Sequence, residues 1–255
     1  MQRLPVLAVI RGAFTLPAQH AGELFRAAGL PLLAFIATTL AWEFLPMNLG
    51  WLAAWVAHLF QLFVFSWLAT TVHRLVLLDE ASSRVHFATR AWQRVGVYFL
   101  ALVFLSVVYL AIKFILFNGI GLASGISYVA VGEDPNLLAQ RWIDWFTTLV
   151  ALLVVARLVL VLPSIAVERG NDFRKFWRLS RRNSWRLAVV YGALPWGLSW
   201  LNWLLFRDGG SSLELAIMLV IGCLLAVVTI TALSLSYSAL TAPAAPEPPP
   251  TDPRG

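Results

Sequence analysis

Cysteine is nearly absent from the chain: Cys223 is the only one, and it sits inside an apolar run. No internal disulfide can form, and no thiolate metal cluster either. Charge is also scarce. Asp, Glu, Lys and Arg make up 13% of the residues against about 25% in an ordinary soluble domain. Histidine stops at His86, so a Ser-His dyad would have to use His20, His58, His73 or His86. A phosphate-binding Walker loop, a zinc-protease helix and a paired-aspartate lipid-transferase motif are missing. The segment "HRLVLLDEASSRVH" holds His73, Asp79, Glu80 and His86 without a recognised metal-ligand spacing. These absences argue against an enzyme and lead us to expect no cofactor and no metal.

What fills the chain is apolar. Of its 255 residues 60% are hydrophobic, and the mean hydropathy is +0.77, which is the composition of an integral membrane protein. The net charge of +6 and pI near 10.1 would suggest nucleic acid in a soluble protein. In a membrane protein, Lys/Arg-rich cytoplasmic loops produce the same balance, so no nucleic-acid partner is expected. The opening "MQRLPVLAVIRGAF" has too short an apolar run before Arg11 for a typical signal peptide, and the first residues are expected to be kept.

Six stretches are long and apolar enough to cross a hydrocarbon core, which takes about 20 residues: 29–46, 51–72, 96–117, 142–162, 187–206 and 214–238. The expected fold is all-α, a polytopic membrane protein. Pro31 is expected in the first turn of the first span, where its missing N–H is harmless. "PMNLG" allows only a tight hairpin, and the Gly-rich 118–140 reads as the one sizeable loop on its side. Residues 1–240 form the integral membrane helical domain. The tail 241–255, with six prolines from Pro243 onward, reads as disordered and cytoplasmic.

Orientation follows from the basic residues. Segments 1–28, 73–95, 169–186 and 239–255 hold 3, 4, 7 and 1 of the 19 Lys/Arg, and the opposite side holds Lys113, Arg141 and Arg207. That asymmetry puts both termini in the cytoplasm. Trp42, Trp51, Trp55, Trp142, Trp145, Trp200 and Trp203 then fall near the outer boundary, and Trp67, Trp92, Trp177 and Trp185 near the inner one. The 17 Arg against 2 Lys, with abundant Ala and Pro, points to a high-GC genome.

A weak repeat runs through the chain. "VHRLVLL" and "VARLVLVL" end the second and fourth spans, and "LFR", "AWQR" and "SWR" each precede a span. The pattern predicts three helical hairpins, each led by a short amphipathic helix on the cytoplasmic face.

The stretch "VARLVLVLPSIAVERG" followed by "FRKFWRLSRRNSWRLAVVYG" resembles a group of poorly characterised bacterial six-helix inner-membrane proteins. It is similar to the membrane domain of some glycerophosphodiester phosphodiesterases. The matching residues are Leu162, Pro163, Ile165, Ala166, Trp177, Arg178, Leu179, Ser180, Arg181 and Asn183, within 155–192. The catalytic domain of those enzymes is absent, so the resemblance implies a membrane module without their activity.

Two sets of residues are candidates for function. In "RGNDFRKFWRLSRRNSWR", Phe173, Phe176 and Trp177 recur at helical spacing while Arg174, Lys175, Arg178, Arg181 and Arg182 can splay toward headgroups. The plain alternative is an orientation signal. The second set is Glu43, His58, Lys113 and Arg157, polar positions inside or near spans. The first three read either as an outer-half proton or substrate cluster or as ordinary packing. Arg157 is either a buried charge wanting a carboxylate such as Glu43, or, if Pro163 breaks the helix, within reach of inner headgroups. The expected function is non-catalytic: organisation of anionic lipid or of a membrane partner, which includes a homo-oligomer, through the basic cytoplasmic helices. A small transporter or channel subunit using the intramembrane polar residues is the alternative.

Overall fold

The computed structural model describes residues 3–43, 50–78, 89–124, 137–169, 172–195, 197 and 212–242. Among them every regular element is helical. In order they are α1 (Val6–Gln19), α2 (Ala21–Glu43), α3 (Trp51–Leu78), α4 (Thr89–Ser124), α5 (Leu137–Val155), α6 (Val161–Ala166), α7 (Phe173–Ser180) and α8 (Ser184–Ala188). A π-helical turn (Val189–Ala193) and α9 (Ser212–Thr241) follow. Four helices, α2, α3, α4 and α9, contain stretches long and apolar enough to cross a membrane. Helix is the state a single apolar stretch must take in lipid, because its backbone N–H and C=O groups find partners only within the segment.

The exposed surface of α4 shows how these helices meet lipid. Val97, Leu100, Phe104, Val107, Leu110 and Phe114 recur at intervals of three and four along one exposed face, while Tyr98, Ala101, Leu102 and Leu105 are buried on another. Both faces are apolar, so the helix has an inside and an outside without being amphipathic. With 36 residues α4 is about 54 Å long, well beyond the hydrocarbon thickness of about 30 Å.

Several boundaries differ from the sequence expectation. "LFR" and "AWQR" continue without a break into α2 and α4, so neither forms a separate helix ahead of its span. "NGIGLAS", expected to open a loop, forms the last turns of α4. Pro31 lies inside α2 rather than in its first turn, as membrane helices tolerate. The fifth expected span is described only to residue 197, and the proline-rich tail from 243 onward lies outside the described residues.

The fourth expected span breaks. α5 ends at Val155, five residues of turn follow, and the chain resumes as α6. Pro163 explains the break, since it offers no N–H to the carbonyl of Val159 and its ring crowds that carbonyl. Tighter bonds take over: Val161 N–H to Leu158 O at 2.9 Å and Leu162 N–H to Val159 O at 3.0 Å. Pro163 then sits in the first turn of α6. All six residues of α6 are buried, packed among α3, α4 and α9. At the other end of the chain α1 lies against α9, where a Cβ on Gly12 would come within 2.8 Å of Leu235 Cδ1.

Candidate functional site

The basic stretch starts from a pivot just after α6. Glu168 has φ 59, a left-handed conformation that a side chain adopts only when its surroundings hold it. Its carboxylate is held by two arginines from different helices. Arg94 of α4 ion-pairs with it directly, and Arg74 Nη1 of α3 lies 3.9 Å away. The same Arg74 nitrogen donates to the carbonyl of Ala166 at 3.2 Å, capping the end of α6. α3, α4 and α6 are thereby locked together at the point where the chain leaves the bundle.

α7 follows a standard start. Asp172 is the N-cap, and its Oδ1 accepts from the backbone N–H groups of Arg174 at 3.0 Å and Lys175 at 3.1 Å. One face is anchored in the core: Phe176 is buried beside Tyr237 of α9, and Phe173 meets Phe104 of α4 edge-on. The opposite face carries Arg174, Lys175 and Arg178, and Arg181 and Arg182 follow in the next turn; all five are exposed. Among the described residues none of the five is ion-paired.

Arg157 belongs to this arrangement, because the α5–α6 break puts it beside α7 and α8. Its Nε donates to Ser184 Oγ at 2.9 Å, and its guanidinium lies 4.9 Å from the Trp177 ring centroid. The carbonyl of Arg157, freed by the break, accepts from Ser180 Oγ at 2.9 Å. Asn183 is buried between α7 and α8 and accepts from the backbone N–H of Leu4 at 2.9 Å. The basic helix is therefore held at both ends and from below.

The other candidates go to different places. Lys113 of α4 pairs with Asp144 of α5 at 2.9 Å. His58 of α3 packs edge-on against Trp55 and lines a cavity of about 330 Å³ between α3, α4, α5 and the π turn. Glu43 closes α2, and its side chain lies outside the described residues, as do Asp79, Glu80 and His86. Of the expected cluster of Glu43, His58 and Lys113, only His58 and Lys113 have described side chains. No group of His, Cys, Asp and Glu suited to a metal ion occurs among the described residues.

One polar constellation had no signal in the sequence. His73 is fully buried, with Nδ1 2.6 Å from Ser234 Oγ and Nε2 3.1 Å from the Tyr98 hydroxyl. Ser234 donates to the carbonyl of Ile230 at 3.0 Å, so the imidazole donates from Nδ1 to Ser234 and accepts at Nε2 from Tyr98. One continuous chain of hydrogen bonds thus ties α4 to α3 to α9. Only the tertiary fold brings these residues together, since His73 and Ser234 are 161 positions apart.

Compared with protein-family models, curated proteins and solved structures, the chain matches none of them. The described helices, four of them long and apolar enough to cross a membrane, nevertheless define a class, a helical protein embedded in a membrane.

Proposed function

We propose that the protein is a non-catalytic integral membrane protein that gathers anionic lipid, or an acidic face of a membrane partner or second copy, on α7. The observation that carries this reading is the division of labour within one short helix. Phe176 and Ser180 are buried in the bundle, while Arg174, Lys175 and Arg178, with Arg181 and Arg182 just beyond, face outward without a carboxylate of the described chain. An orientation signal alone needs only the charge, whereas here the cations are placed by an N-cap, a core aromatic and Arg157. Each contributes about 1 kcal/mol near an anionic leaflet before screening.

The finer architecture belongs to the same proposal. It has six spans as three hairpins in a bacterial inner membrane, both termini cytoplasmic, and α7 on the cytoplasmic face. The resemblance to the membrane domain of some glycerophosphodiester phosphodiesterases is consistent with a module that presents lipid rather than cleaving it. A second reading, a small transporter or channel subunit, is favoured by the cavity that His58 lines.

Native mass spectrometry of the protein released from native-lipid nanodiscs tests the first reading. The expected result is retained anionic phospholipid or a partner, lost when Arg174, Lys175, Arg178, Arg181 and Arg182 are all changed to Gln. Retention of the same species by that variant would overturn it. Alkaline phosphatase fusions test orientation: activity at Gly125 and none at Asn171 is expected, and the reverse would refute it.

A further inference from the structure

The cavity beside His58 is defined by hydroxyls without partners. Several hydroxyls elsewhere in the bundle donate to the carbonyl four residues earlier: Ser66 at 2.7 Å, Thr70 at 2.8 Å, Ser234 at 3.0 Å and Ser236 at 2.8 Å. Ser106 of α4 does not. Its hydroxyl lines the cavity, as do Tyr109 one turn on and Tyr191 of the π turn. Among the described residues none of these three hydroxyls has a hydrogen-bond partner. Ser106, Tyr109 and Tyr191 are half-buried, and their three hydroxyls bordering one space, with an imidazole beside them, mark a place suited to a polar group.

The walls narrow the chemistry of that group. Among the described residues no Asp, Glu, Lys or Arg lines the cavity, and Lys113, one turn beyond Tyr109, is engaged by Asp144. Leu105 and Leu152 supply apolar walls, and the volume of about 330 Å³ suits a small ring or a glyceride head. Tyr191 reaches the site because of an irregularity. A π turn redirects side chains relative to an α-helix and recurs at functional sites, and here it presses so closely on α5 that a Cβ on Gly192 would stand 3.1 Å from Leu152 Cδ1.

We propose that this cavity binds the carbonyl-bearing head of an uncharged lipid, with Ser106, Tyr109 and Tyr191 donating to its oxygens. The shared chemistry is an acceptor-rich, neutral head on an apolar tail, which a quinone or a diacylglycerol supplies. The site is independent of the α7 cations.

The test uses the full chain in phosphatidylcholine nanodiscs, titrated separately with decylubiquinone and 1,2-dioctanoylglycerol, with adducts counted by native mass spectrometry against empty nanodiscs. Saturation at one molecule per chain by either probe is expected, and the probe that binds identifies the head as ring dione or glyceride. Ser106→Ala and Tyr191→Phe each weaken binding about 3- to 10-fold, the effect of one lost hydrogen bond. Ser106→Leu, which fills the space, abolishes it while the melting transition remains cooperative. Binding of neither probe overturns the proposal, as does unchanged affinity in a folded Ser106→Leu variant. Should that variant fail to fold, unchanged affinity in both Ser106→Ala and Tyr191→Phe overturns it instead.

Discussion

The backbone N–H of Leu4 donates to the side-chain oxygen of Asn183 at 2.9 Å, tying the start of the chain to the corner between α7 and α8. Both residues are buried, so the bond is shielded from water. Asn183→Ala strands a buried N–H and is expected to cost about 1–3 kcal/mol. Asn183→Asp keeps the acceptor and is expected to cost less. Thermal melting in detergent separates the two, and equal losses would mean that the bond contributes little.

Glu168 carries two burdens, a left-handed backbone and a carboxylate between Arg74 and Arg94. Ala and Gly substitutions both remove the carboxylate, a loss of about 1–3 kcal/mol for a half-exposed acid facing two mostly buried arginines. Only Gly relieves the backbone, by about 1 kcal/mol. The expected order of melting temperature is wild type, then Glu168→Gly, then Glu168→Ala.

Phe176 holds α7 to the core beside Tyr237. Phe176→Ala is expected to destabilise by about 3–5 kcal/mol and to loosen α7 with every cation still present. Retention of anionic lipid should fall in this variant and survive in Phe176→Leu. If lipid retention in Phe176→Ala equals wild type, charge alone suffices and the seating of the helix is irrelevant to it.

Tyr98 and His73 interact directly at 3.1 Å inside the bundle. A double-mutant cycle with Tyr98→Phe and His73→Ala is expected to show coupling of about 1 kcal/mol. Additive losses would contradict the hydrogen-bond chain from Tyr98 through His73 to Ser234.

Long apolar runs made α3, α4 and α9 legible, because in lipid a run of that length has no alternative to helix. The basic face around Phe173, Phe176 and Trp177 was legible for a similar reason: spacing alone separates its two sides. Pro31 and the Gly-rich start of 118–140 misled, since rules for breaking helices come from water, where freed backbone groups find other partners. Pro163 did signal the break ahead of α6, but not that α6 is buried on every side. The partners of Glu168, Asn183 and His73 were invisible because they lie far along the sequence. Ser106 and Tyr109 were noted only as companions of Lys113, and the cavity they share with Tyr191 exists only once the π turn has folded back on α5.

The docking of α1 on α9 has a consequence for biosynthesis. A ribosome delivers Val9, Ala13 and Gly12 long before Leu235, so α1 waits for its partner until α9 has been made. α6 waits too, with its α9 side uncovered. A chain arrested before residue 212 therefore leaves the translocon as an open bundle, and its apolar α1 is free to lie on the bilayer or to engage a quality-control protease.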